Sequence, residues 1–202
     1  MRKFTGFTAK TPERLMLDAG VFFKNYDLSK TYAENKAAGN LVCATQGGGN
    51  FSAVPTVRKI KVDGLPDNTK GLATNDEWVA TLALNMLESD AETAKLALGA
   101  AAVTDAAEAG LTGYKKVTGK GDFTDDDYLD NITWVGCLRG SDQPVIIVLY
   151  NAISEGGLQW QMQDKTETIT ACTLTANYAP VDDTTDKPPF DILYPPLRSQ
   201  GV

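Results

Sequence analysis

The sequence predicts a mainly β, mostly antiparallel protein with one short helix beside its sheet. Three observations carry that reading. Residues 131–138, 144–153, 157–164 and 166–178 are four strand-like runs with only a few residues between them. Gaps that short force antiparallel neighbours, because a parallel crossover takes about a dozen residues or more. Next, residues 78–86 alternate: Trp78, Ala80, Leu82, Leu84 and Met86 fall on one face, and Val79, Thr81, Ala83 and Asn85 on the other. Finally, that strand stops at a helix signal. Ser89 and Glu92 have the spacing of a capping box, Asp90 and Glu92 suit the positive end of a helix dipole, and Gly99 suits a helix stop.

The remaining elements follow along the chain as one unit of 202 residues, enough for a single sizeable core. Residues 1–14 read as a polar arm, and 15–178 as the β body, with its helix near 90–99. Residues 179–202 are proline-rich and patternless, a second arm. Residues 15–24 (LMLDAGVFFK) read as the first strand, 27–40 as a polar connection, and 41–45 as a short strand leading into Gln46 and three glycines. Residues 51–62 look extended, with Val54, Val57, Ile60 and Val62 as apolar points. Pro55 lacks an amide proton and so disfavours a central place in a sheet. Asp63-Gly64 and Pro66-Asp67-Asn68 are turn chemistry. Residues 100–109 extend the helix or add a turn to it, and glycine-rich 110–121 reads as a surface insertion. Further on, Leu158, Trp160 and Met162 alternate with Gln159, Gln161 and Gln163, so one face of that run is wet.

Composition narrows the function. The net charge of −7 makes a poor general binder of DNA, which requires cations to displace counterions from phosphates. The charge is uneven: residues 1–17 hold four basic residues against Glu13, a local +3, whereas 122–130 hold five Asp and no base. The chain has no histidine, which removes Ser-His-Asp and Cys-His catalysis and the usual zinc sites. Cys43, Cys137 and Cys172 are an odd set without paired spacing, read as buried free thiols in a reducing compartment. No apolar run is long enough to span a bilayer, and nothing near Arg2 and Lys3 reads as a secretory signal.

Four motifs invite chemistry and have plainer readings. Gly47, Gly48 and Gly49 offer amides to an anion, but no Lys-Ser/Thr follows, and a hairpin or flexible loop explains them better. The 122–130 stretch (DFTDDDYLD) lacks the glycine and the distant Glu of a calcium loop and reads as a solvated acidic loop. Glu77, Glu88 and Glu92 suggest a hydrolytic pair, but the last two are explained by the strand end and the cap. Trp78, Trp134 and Trp160 suggest a sugar platform, but each lies in a strand pattern that suits core or subunit-interface packing. No catalytic, cofactor or metal site is expected.

In order along the chain, four pieces carry a resemblance: 17–22 (LDAGVF), 41–51 (LVCATQGGGNF), 58–64 (RKIKVDG) with Lys70-Gly71, and 77–98, a strand ending in Met86-Leu87-Glu88 before a helix containing Lys95-Leu96-Ala97-Leu98. Over residues 15–100 the chain resembles the major tail protein, or tail tube protein, of long-tailed bacteriophages. The resemblance implies a β-sandwich or half-barrel with one flanking helix, in a structural virion protein without catalysis or cofactor. It further implies hexameric rings whose sheets join into a barrel and stack into a tube. Tape measure protein fills the lumen, terminator and tip proteins close the ends, and DNA passes through transiently. The protein would be assembled in the host cytoplasm and reside in the virion tail, with no membrane partner.

Combined with the strand patterns, the resemblance assigns the lumen to Glu77, Thr81 and Asn85, to Gln159 and Gln161, and to Thr173, Thr175 and Asn177. It assigns ring stacking to Gly47, Gly48, Gly49, Arg58, Lys59, Lys61, Asp63 and Asp67, together with the two arms. Three other readings compete. One is a head–tail connector or tail completion ring, another a carbohydrate- or ligand-binding β-sandwich, and the third an enzyme that works without histidine.

Overall fold

Antiparallel pairing runs through the molecule in the computed structural model, which describes residues 4–180 and 187–198. The elements are β1 (Val21–Lys24), α1 (Tyr32–Ala37), β2 (Thr45–Lys59), β3 (Ala73–Met86), α2 (Ala91–Leu98), β4 (Ala101–Asp105), β5 (Lys115–Gly119), β6 (Leu129–Cys137), β7 (Pro144–Ser154), β8 (Thr170–Thr175) and β9 (Phe190–Leu193). Six strands follow the order β1-β6-β7-β8-β3-β2, β9 joins β7, and β4 and β5 form a separate hairpin. The mainly β, antiparallel sandwich or half-barrel with short helical elements is therefore the observed fold.

One strand serves both halves of the sandwich. β7 pairs with β6 from Pro144 to Ala152 and with β9 from Ile146 to Leu149. Its last residues, Ile153 and Ser154, pair instead with Thr175 and Leu174 of β8. The turn between the two regimes is Asn151, at φ 48°, a left-handed conformation that asparagine tolerates better than most residues. Reciprocal amide bonds hold it. Asn151 Nδ2 donates to the Asn177 carbonyl (3.1 Å), and Asn177 Nδ2 donates to the carbonyls of Asn151 (2.9 Å) and Thr175 (3.2 Å). The Asn177 amide donates to the Tyr150 carbonyl (3.1 Å).

The core fills the space between the halves. Phe22, Ile132, Trp134, Val145, Ile147 and Leu149 come from one side, and Ala80, Leu82, Leu84, Met86, Cys172 and Leu174 from the other. Each large apolar side chain buried here contributes about 1.5–3 kcal/mol over an exposed one. A smaller cluster of Phe23, Tyr26 and Val135 lies on the outer face of β1 and β6. The α1 segment borders it, with Tyr32 edge-on to Phe23 at 5.5 Å between centroids.

Several expectations hold. Ala80, Leu82, Leu84 and Met86 are all buried, with Val79 exposed on the opposite face. Gly99 ends α2, and its amide bonds to Lys95. Pro55 lies on β2, the terminal strand of the sheet order.

Others are corrected. The cap of α2 is one residue later than Ser89. Asp90, in extended backbone, accepts from the Thr93 amide (2.7 Å), and Thr93 Oγ1 accepts from the Asp90 amide (2.9 Å). An ionised carboxylate makes the stronger bond to a helix amide than a hydroxyl does. The 27–40 connection contains α1, capped by Thr31 and Glu34 and braced by the fully buried Asn35. Leu41 makes only an isolated bridge to Phe23, and the strand starts at Thr45. The three glycines are not a loop: they form an irregularity inside β2, where pairing jumps from Thr45 to Gly49. A Cβ on Gly49 would come within 2.5 Å of the Phe22 ring, so the strand packs this closely only because the side chain is absent.

Residues 101–105 are strand β4 and not a helical extension, and the expected surface insertion carries β5 (residues 115–119), which pairs with it in a hairpin. Residues 157–164 form no strand. Gly157 has φ 70°, and Trp160 Nε1 reaches back to Thr170 Oγ1 (2.7 Å), which turns the segment away from sheet pairing. Within 166–178 only Thr170–Thr175 is strand. The C-terminal arm contributes β9 to the body, whereas residues 181–186 and 199–202 of that arm lie outside the described residues, as do residues 1–3 of the N-terminal one. Cys43 and Cys172 are buried, and burial pushes each thiol up to about 11. Cys137 is exposed at the end of β6, contrary to expectation.

The bend yields a prediction. Asn151→Ala and Asn177→Ala each lose about 1–3 kcal/mol in denaturant unfolding, and the double variant loses less than the sum, because both remove one reciprocal pair. Asn151→Gly, which keeps the left-handed backbone, loses less than Asn151→Ala.

Candidate assembly surfaces

The pairing register builds one continuous polar face. Ser52 lies opposite Thr81, which lies opposite Thr175; Asn50, Ala83 and Thr173 form the adjacent row. Thr56 pairs with Glu77, Val54 with Val79, and Asn85 with Ala171. Because neighbours along a strand point to opposite faces, the buried Ala80, Leu82, Leu84 and Met86 commit this face to the outside. Over 50–56, 77–85 and 171–175 it carries hydroxyls, amides and small apolar groups, with Glu77 as its one charge and no cation.

Five of the eight residues assigned to a lumen, Glu77, Thr81, Asn85, Thr173 and Thr175, are thus brought together. The other three are elsewhere. Gln159 and Gln161 are exposed on the irregular 158–169 segment, because the strand that would have aligned them does not form. Asn177 is half-buried and occupied in the β7 bend.

The second surface is an arm. β8 pairs with β3 only from Thr81 to Met86, and the Trp78 amide donates to the Tyr178 hydroxyl (2.6 Å). Beyond that point β2 and β3 continue as a ladder out to Lys59 and Ala73. Arg58 Nε bonds both carboxylate oxygens of Asp76 across it (2.9 and 3.1 Å). Val57, Ile60, Val62 and Leu65 stand exposed along the arm and its tip.

Arg58, Lys59, Lys61, Asp63 and Asp67 all belong to this distal part. Gly47, Gly48 and Gly49 do not: they lie at the other end of β2, roughly 35 Å away at ~3.4 Å per strand residue. The single stacking region expected from the sequence therefore divides in two, since one long strand separates its parts. The base of the arm is fixed by a contact that the sequence pattern did not reveal. Phe190 of β9 packs edge-on against Trp78 (5.5 Å) and tilted against Phe51 (5.8 Å). The local hint was the short Phe190-Asp191-Ile192-Leu193 stretch after Pro188-Pro189, apolar except for Asp191.

The remaining motifs are internally satisfied. The Asp127 carboxylate has no exposed side-chain surface, accepts from Lys120 (2.6 Å) and takes the Thr124 amide and hydroxyl (both 2.9 Å). Burial alone would raise its pKa, but Lys120 and Thr124 outweigh that and hold it below the ordinary carboxylate value. Among the described residues no group of three or more His, Cys, Asp or Glu side chains is placed to hold a metal. Glu88 accepts from the Ala44 amide (2.9 Å), and Glu92 lies 4.0 Å from Lys24. Trp134 is buried with its Nε1 on the Ala19 carbonyl (2.9 Å), Trp78 is half-buried against Phe190, and Trp160 is tied to Thr170. No helix among the described residues is long and apolar enough to cross a membrane. No protein-family model matches the chain, and no curated protein matches it either.

The Asp127 pair sets a pH dependence. Its folded pKa is depressed, so its stabilisation is complete above the unfolded carboxylate value near ~4 and is lost as pH falls through the native value. In thermal melts Asp127→Asn lowers the midpoint at pH 7 by about 2–4 °C and flattens the acid limb below pH ~4. Added calcium leaves the wild-type midpoint unchanged.

Proposed function

We propose that this chain is a structural subunit of a phage-type tail tube, closing into rings that stack around a channel. The observation that carries the reading is the two-sided sheet. Over residues 50–56, 77–85 and 171–175 one face of β2, β3 and β8 seals the core, and the other offers hydroxyls, amides and small apolar groups without a Lys or Arg. Phosphate is held mainly by cations, so a wall of this composition lets a polyanion slide past, and Glu77 repels it. Sheets joined edge to edge also remove unpaired strand edges. β2 is the terminal strand of the order and 15 residues long, with Pro55 interrupting its donors. The opposite end of the sheet is covered, since Lys24 and Phe22 of β1 already bond to Asn40 and Val42.

The β2–β3 arm, with its exposed aliphatic side chains, supplies the contact between rings. Head-to-tail stacking of this kind is open-ended and gives a tube. On this reading the ring is hexameric, as in the family that the sequence resembles. The channel holds a tape measure protein until DNA passes, and terminator and tip proteins cap the ends.

Negative-stain electron microscopy of the concentrated protein is expected to show tubes or stacked rings. Single rings that never stack would favour a connector, and a stable monomer that binds glycans would favour the carbohydrate-binding reading. The channel assignment has its own test. Thr81→Lys with Thr175→Lys in assembled tubes retains single-stranded DNA at low salt and releases it as salt rises, whereas wild-type tubes retain none.

A further inference from the structure

A groove of about 480 Å³ opens into the sandwich between the segment before β1 and the glycine-rich start of β2. Phe22, Phe51, Leu82, Trp134 and Ile147 form its apolar lining. Asp18 and the exposed Met16 stand at its edge. We propose that this groove receives Phe4 and Phe7 from the N-terminal arm of a second copy of the chain. The inference rests on the reading that copies assemble, and it names a contact beyond sheet joining and the β2–β3 arm.

Three observations select that occupant. Phe4 is 99% and Phe7 65% exposed, so two aromatic side chains three residues apart are offered to solvent by the arm. Phenylalanines presented in this way gain most by entering an apolar pocket. The arm also leaves its own groove unfilled, since neither Phe4 nor Phe7 lines it. Glu13 and Leu15 accept from the Gly140 and Arg139 amides, Met16 bridges Leu138, and Thr8 to Glu13 fold into a local turn. The arm therefore leaves the body at the groove's edge and carries its aromatic residues outward.

Charge matches in the same sense. Residues 1–17 hold Arg2, Lys3, Lys10 and Arg14 against Glu13, a local +3 on a chain of net charge −7, which leaves −10 for the rest. A basic arm approaching an acidic body past Asp18 is steered toward the groove, and less so as salt rises. The glycines make room for it, since no side chain on Gly47, Gly48 or Gly49 narrows the β2 side of the opening.

The test mixes two full-length proteins, both carrying Cys137→Ser to remove the exposed native thiol. One carries Phe7→Cys, and the other carries Met16→Cys and a longer tag. Mild oxidation at assembling concentration is expected to give the mixed covalent dimer, and Phe4→Ser in the Phe7→Cys partner reduces its yield. A Phe4→Ser/Phe7→Ser variant keeps the monomer's melting temperature but needs at least about tenfold more protein to assemble. If wild-type protein assembles yet no mixed dimer forms and the double Ser variant assembles normally, the groove contact is wrong and the tube reading stands. If a chain carrying both cysteines closes only on itself, the arm serves its own body and the proposal fails. If wild-type protein stays monomeric at every concentration, both readings fall.

Discussion

Everything in this fold depends on β7 changing partners at Asn151. A flat strand would pair with β6 along its whole length and leave β8 with no connection to the first half of the sandwich. The left-handed turn, fixed by reciprocal amide bonds with Asn177, re-aims the last residues so that Ile153 and Ser154 meet β8. The bend thereby sets the spacing of the two halves, and the spacing sets what the core must contain. Trp134 occupies a slot between Gly20 and Gly136, where an added Cβ would come within 2.2 Å of the indole. Its Nε1 bonds the Ala19 carbonyl, which ties the segment before β1 to the core.

The same geometry produces the surface on which the functional reading rests. Once the core takes Leu82, Leu84, Met86, Cys172 and Leu174, the pleat leaves Thr81, Asn85, Thr173 and Thr175 on the outer side. Cross-strand neighbours then align Ser52, Thr81 and Thr175 in one row from β2 to β8, on a face whose one charged side chain over these residues is Glu77. Stability and surface chemistry are two faces of one register. A slip by one residue would exchange them and cost both.

Some of this was legible in the sequence because the signals are local and unambiguous. The alternation over 78–86 survives because one face must be buried, and Pro55 marks a terminal strand because it lacks a donor. Other signals were degenerate. Ser89 and Asp90 are both good caps, and the decision between them is a matter of one carboxylate's reach to Thr93. Residues 101–105 begin Ala-Ala-Val and look helical, but pairing with Lys115–Gly119 makes them a strand. The glutamines at 159 and 161 alternate as strand residues would, yet the indole of Trp160 is anchored to Thr170 and the strand never forms. The bend at Asn151 and the role of Asn177 left no sequence trace, because a reciprocal amide pair 26 residues apart has no local pattern.

Electron cryomicroscopy of the protein at assembling concentration tests the central claim most directly. The account predicts stacked rings in which Thr81, Thr173 and Thr175 face a central channel and the β2–β3 arm spans from one ring to the next. Rings that turn this face outward, or a protein that remains monomeric throughout, would contradict it.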